Sequence, residues 1–217
     1  MVASRHAERA RLPLIREATT DDIAGIVHAM IEGARAAYAR LPESASWLPK
    51  VLAGMVLRWP ELYEERLNEI ARGLSTRKIF VAWADDRRIV GAIDAAVRSD
   101  GAGQLYAWHV LPEFHGGKTS DAGPTVGQAL MNRALEYLGA TTVYSNTTVG
   151  TVGLRAHLKH GFEIDSTVAE NDPRLAMPAT WAAAGCPATV TLPDGTFTSV
   201  GRQVILVRRP DLAPSRS

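Results

Sequence analysis

Residues 112–138 read PEFHGGKTSDAGPTVGQALMNRALEYL. The first half is a loop dense in glycine, and the second half reads as a helix. The start of a helix offers backbone N–H groups without intrahelical partners, at the positive end of its dipole, so such a loop suits a phosphate. Gly116, Gly117, Gly123 and Gly127 let the chain approach a ligand without Cβ clashes and take unusual dihedrals. A glycine-rich surface loop with no ligand is the competing reading.

Outward from this stretch the pattern alternates between strands and helices. Leu12–Thr19 reads as a strand, and TTDD then supplies a helix N-cap with acidic residues in the first turn. Ile23, Ile26, Val27, Met30, Ile31 and Ala34 follow at helical spacing, to about Ala39. A second helical region spans about Trp47–Leu74, interrupted by Pro60. Its large apolar residues, Trp59 among them, read first as core and second as one wall of an acceptor pocket. Ile79–Val97 reads as a hairpin around DDRR, and Gln104–Val110 as a further strand. Strict alternation puts Gln104, Tyr106, Trp108 and Val110 on one face of that strand, with Leu105, Ala107 and His109 on the other. After the quoted helix come a strand at Thr141–Asn146, a short helix ending at Gly161, a strand FEIDSTV, and a closing hairpin around PDG that ends in VILVRR. The order predicts an α/β fold with one mixed sheet and helices on its faces.

Composition limits the function classes. The 217 residues suit one domain and can bury a sizeable core. We expect that domain to cover residues 12–208, with an enlarged helical region at about 46–76 and an insertion at about 169–199. Disordered tails are expected at 1–11 and 209–217. A formal charge of +1 gives no electrostatic case for nucleic acid. The single cysteine, Cys186, allows no internal disulfide and fits a reducing compartment. No signal peptide and no apolar run of the ~18 residues a membrane helix needs is visible, so a cytoplasmic protein without a membrane partner is expected. The histidines do not fall at metal-ligand spacing, and no metal is expected.

Two stretches carry a family likeness. Val110-Leu111-Pro112-Glu113-Phe114-His115-Gly116-Gly117, rejoined at Val126-Gly127-Gln128-Ala129-Leu130, resembles the acyl-CoA motif of the GNAT superfamily of N-acetyltransferases. Leu154-Arg155-Ala156-His157-Leu158-Lys159-His160-Gly161-Phe162 is similar to a second motif of that family, with His157 in place of its tyrosine. The resemblance implies a mostly antiparallel sheet whose two central strands, Gln104–Val110 and Thr141–Asn146, splay apart to admit the pantetheine arm of CoA. It implies acetyl-CoA as co-substrate, held through Val110, Leu111, Gly123, Thr125, Val126, Gly127, Gln128 and Asn146. The loop is longer than the family's usual turn, and two registers are open. Either His115 stands where the family has Arg or Gln and the chain bulges after Gly117, or Ala122–Gly127 forms the cradle, which we favour. Gly150 stands where the family often has Asn.

Acetyl transfer to an amine needs a base, N–H donors for the oxyanion, and an acid for the leaving thiolate. The resemblance implies the main-chain N–H of Val110, or of Leu111 beside it, as oxyanion donor, and His157 as acid. A partly buried helix histidine without a catalytic task is the alternative for His157. The base is open. The strand face read above offers Gln104, Tyr106 and Trp108, none a base at neutral pH, while His109 points away and Asp94 is a possible carboxylate. Tyr106 is expected as a site residue, and Trp108, Gln104 and Trp59 as substrate contacts. Cys186 has no recognisable partner histidine and is not expected to be a nucleophile. The expectation is an acyl-CoA-dependent N-acyltransferase that acetylates an amine on a small molecule, with a homodimer unsurprising. A GNAT-like binding module and an enzyme using another thioester donor, such as acyl carrier protein, are the alternatives.

Overall fold

The computed structural model describes residues 14–41, 44–84, 88–116, 123–169, 172, 175–187, 190–191, 197–198 and 203–210. The tails expected at 1–11 and, beyond residue 210, 209–217 lie outside the described residues. So do Gly117–Ala122 and residues 85–87 and 192–196, where the sequence led us to expect turns.

The chain opens with β1 (Leu14–Glu17), a 3-10 turn (Thr20–Asp22) and α1 (Ile23–Tyr38). Asp22 fixes this entry. It accepts from the Thr19 amide at 2.7 Å and takes both guanidinium nitrogens of Arg16, at 2.7 and 2.8 Å. The next helix, α2 (Ser44–Ala71), is one continuous element containing both Pro49 and Pro60, so the expected interruption at Pro60 is not found. A proline inside a helix removes one hydrogen bond. Here Trp47, Leu48, Val51 and Leu52 before it, and Tyr63 and Leu67 after it, are all buried and hold both halves against the core.

Three antiparallel strands follow: β2 (Arg77–Trp83), β3 (Ile89–Val97) and β4 (Gly103–Val110). Then come α3 (Val126–Leu138), β5 (Val143–Thr148), α4 (Val152–Lys159) and the two-residue β6 (Glu163–Ile164). Gly161, at φ 78°, turns the chain out of α4. A short α5 (Ala179–Ala183) precedes β7 (Val190–Thr191), β8 (Phe197–Thr198) and β9 (Gln203–Arg208). The main sheet has seven strands in the order β1-β2-β3-β4-β5-β9-β6, antiparallel except for β4 with β5.

The closing hairpin is not part of that sheet. β7 pairs with β8 as a separate ladder, and β9 inserts between β5 and β6. Ile205, Leu206 and Val207 of β9 are all buried, which an edge position would not achieve.

Helices cover both faces. A Cβ on Gly91 of β3 would lie 2.9 Å from Leu130 of α3, which puts α3 on the face of Gly91 and its partner Val110. A Cβ on Gly33 of α1 would lie 3.0 Å from His109 Cβ, so α1 covers the opposite face closely enough that a side chain there would have to push its neighbour aside. Trp47 reads correctly as core: it is fully buried and stacks on Trp181 of α5 at 5.2 Å. Thus α5 packs against α2 by aromatic contact.

Candidate functional site

β4 and β5 are joined at two positions, Gly103↔Val143 and Gln104↔Tyr144, and then part. The cause lies in β4. Its register with β3 runs from Ala95↔Leu105 to Asp94↔Ala107, leaving Tyr106 as an extra, bulged residue. A bulge bends its strand and increases its twist. The gap it opens is a cleft of ≈ 200 Å³.

The bulge also overturns the strict alternation read from the sequence. Before it, Gly103 faces α3, since a Cβ there would lie 3.0 Å from Leu138. After it, Trp108 and Val110 face α3, because Gly127 of that helix stands against both side chains. Trp108 therefore does not share a face with Gln104 and Tyr106. His109 does: it points toward α1, as the expected substrate side does, and lines the cleft.

The same ladder decides which amides reach the gap. The Leu111 N–H donates to Val90 O at 2.8 Å, so this amide is already partnered within the sheet. In an antiparallel ladder successive residues point their N–H groups to opposite sides. The amides of Val110 and Trp108 accordingly turn away from β3 and into the cleft. Val110 O accepts from His115 Nε2 at 2.8 Å, which folds the His115 ring back onto β4 instead of leaving it for a phosphate.

At the start of α3, Thr125 and Gln128 form a capping box. Gln128 Oε1 accepts from the Thr125 amide at 2.8 Å, and Thr125 Oγ1 from the Gln128 amide at 3.2 Å. The main-chain amides of Thr125 and Gln128, two of those expected to hold cofactor, are thus already partnered within the cap. The first-turn amides of Val126 and Gly127 lie outside the box, next to partly buried Gly123. Across from them the Trp108 indole sits edge-on to His157 and His160, at 5.2 and 5.5 Å, with its Nε1 buried and without a hydrogen-bond partner.

His157 is 5% exposed. Its Nδ1–H donates to Gly153 O at 2.8 Å, and its Nε2 accepts from Ser145 Oγ at 3.0 Å. Burial, with a smaller contribution from His160, holds its pKa below the ordinary histidine value despite the Gly153 bond. The neutral ring therefore carries its proton on Nδ1 and has none on Nε2 to give a thiolate. An acid role requires that Nε2 first acquire one. His109 is uncharged for a similar reason: burial and His115 bring its pKa to about 4.

The other expected residues divide. Tyr106 and Asn146 are exposed and line the cleft, Tyr106 beneath the Arg77 guanidinium at 4.0 Å. Gln104 lies in the paired segment, outside the cleft lining, and its side-chain amide donates to Leu105 O at 3.0 Å. Trp59 lines a separate groove along α2 and approaches the cleft through His109, at 6.5 Å. Asp94, fully buried, takes Arg77 at 2.5 Å and Arg66 at 3.2 Å. Burial raises its pKa while the two guanidiniums pull it back. Among the described residues no three His, Cys, Asp or Glu side chains gather as a metal site, and no helix is long and apolar enough to cross a membrane.

No protein-family model and no curated protein matches the chain. Solved structures do. PaiA N-acetyltransferase from Thermoplasma acidophilum, in complex with coenzyme A, superposes with a TM-score of 0.60 at 15% identity, over 90% of this chain and 98% of that one. The fold is that of the GNAT acetyltransferases. A GCN5-related N-acetyltransferase from Rhodopseudomonas palustris gives 0.54 at 14% identity, over 92% and 97%. A GNAT-family acetyltransferase from Staphylococcus aureus Mu50 gives 0.50 at 13%, over 90% and 97%. What is shared at these identities is the fold.

Ser145 escaped the sequence analysis, and His109 was named there but placed on the wrong face. Ser145 meets His157 only because β5 and α4 fold together, and His109 needed the bulge. Asp94 had a signal, as the one charge in the apolar run IVGAIDAAV.

Proposed function

We propose that the chain is an acyl-CoA-dependent N-acyltransferase that moves acetyl from acetyl-CoA to an amine of a small molecule. The observation that carries this is the parting of β4 from β5 beside the first turn of α3. It leaves the Trp108 and Val110 amides directed into a cleft in a GNAT fold. The residues fit such a donor. Unshared amides of Val126 and Gly127 suit a diphosphate, Gly127 has no Cβ to crowd it, and the Trp108 Nε1 is an unused buried donor.

In this reading the Val110 N–H stabilises the oxyanion that forms when the amine attacks the thioester carbonyl. One such donor contributes roughly 10²–10³ in rate. His109, uncharged and on the α1 side of the cleft, accepts the proton that the amine loses. Tyr106 and Asn146 contact the acceptor and donor respectively. Trp59 forms the outer wall of the acceptor side. The protein acts in the cytoplasm, without nucleic acid or membrane as partner, and chains can pair.

Calorimetric titration with acetyl-CoA, with CoA lacking its 3′-phosphate as control, tests the reading. Binding of acetyl-CoA followed by release of free CoA on adding a small amine supports it. No heat with either nucleotide points to a binding module or to a donor carried on acyl carrier protein, and the proposal then fails.

A further inference from the structure

We propose that Ser145 is a nucleophile activated by His157, so that the chain can form an acyl-serine from a thioester in the cleft. This rests on the thioester reading above and goes beyond it, since direct transfer to an amine needs no covalent intermediate.

Three groups stand in line. Ser145 Oγ–H donates to His157 Nε2 at 3.0 Å, and His157 Nδ1–H donates to Gly153 O at 2.8 Å. A nucleophile, a base within hydrogen-bond reach, and a third group that fixes the tautomer of the base are the geometric requirements for an activated serine. Edge-on contacts at 5.2 Å with both Trp108 and Phe162 hold the imidazole plane. Ser145 and His157 are both buried, at 3% and 5% exposure, and together with Gly153 they form part of the cleft wall, so the pair faces the cleft from its floor. Ser145 is also the first residue of β5 beyond the last pair with β4, at the narrow end where the strands begin to part. Of the two unpaired amides on the facing strand, that of Trp108 is the nearer to Ser145 along the register and is the donor assigned to the oxyanion.

The step balances without another reagent. Ser145 Oγ bonds to the thioester carbon while its proton passes to His157 Nε2. The C–S bond breaks, and the imidazolium returns that proton to sulfur, so CoA leaves as the thiol. Water then attacks the ester, giving its proton to His157 and from there to Ser145 Oγ, and the acid departs. An amine in place of water yields the amide. A carbonyl stabilises imidazolium less than a carboxylate does, so turnover through this route is slow.

The test uses the full chain without an amine. It is incubated with acetyl-CoA and, separately, with 4-nitrophenyl acetate, which needs no CoA site, then acid-quenched, digested and mapped by mass. The Cys186→Ala variant removes the one thiol from consideration. One acetyl group on Ser145, absent in Ser145→Ala and formed about 100-fold or more slowly in His157→Gln, supports the proposal. Label on Ser145 from the nitrophenyl ester alone, with no binding of acetyl-CoA, supports the serine chemistry and sinks the CoA reading. Acetyl-CoA binding with Ser145 unlabelled by either donor overturns the serine proposal and leaves the transferase standing. No binding and no label overturns both. Should Ser145→Ala fail to fold, the wild-type map decides by itself.

Discussion

Replacing Asp94 by Asn should cost the protein about 3 kcal/mol of stability. The carboxylate is wholly buried on β3 and accepts from Arg77 at 2.5 Å and from Arg66 at 3.2 Å. Hydrogen bonds to charged groups contribute about 1.5–3 kcal/mol each, and removing one partner of a buried ion pair costs about 3–5 kcal/mol because the other charge stays behind. Both guanidiniums keep some solvent, at 16% and 23% exposure, which brings the expectation to the lower end of that range. Arg66 belongs to α2 and Arg77 to β2, so the loss should be felt where α2 is tied to the sheet. Equilibrium urea unfolding measures it, as a fall in midpoint at unchanged slope. The triple replacement Asp94→Leu, Arg66→Met, Arg77→Met removes the charges together and should return to within about 1 kcal/mol of the parent. A loss below about 1 kcal/mol in Asp94→Asn would show that the pair is solvated and contributes no more than a surface one.

His109 titrates in the folded chain at about 4, against an ordinary 6.5, so the unfolded chain binds more protons between those values. Its stabilising contribution is complete above pH 6.5 and is lost as pH falls toward 4, by up to about 3 kcal/mol. His109→Gln should flatten that part of a thermal-midpoint profile. Gly91→Ala puts a Cβ 2.9 Å from Leu130 Cδ1 and 3.0 Å from the His109 carbonyl. Part of that clash is with backbone, so overpacking should cost about 1–3 kcal/mol by urea unfolding and shift the Val110 amide, slowing amine acetylation. Thr125→Ala removes the α3 cap and should cost about 1 kcal/mol by the same measurement. It should also weaken acetyl-CoA binding in calorimetry, since the first turn frays; unchanged affinity would place the diphosphate elsewhere.

The element order and the glycine-rich entry to α3 were legible in the sequence because each rests on local physics. Apolar spacing set α1, β-branched runs set the strands, and Thr125 and Gln128 are close enough in the chain to cap one helix end. The likeness to GNAT motifs added the parting of two strands to that list. What failed was whatever depended on partners distant in sequence. Pro60 reads as a break until both halves of α2 are seen buried. The last strand reads as half of a hairpin until β5 and β6 receive it.

The site shows the same division at higher resolution. His157 could be picked out from its motif, but its protonation follows from Gly153 and Ser145, and no spacing rule joins Ser145 to it. Strict alternation put His109 on the wrong face because a single bulged residue, Tyr106, reverses the phase of everything after it. Such a bulge is set by how β3 pairs with β4. Local chemistry along the chain sets which elements form and in what order, whereas the meeting of side chains and amides in the cleft depends on strand register, a long-range property that one extra residue inverts.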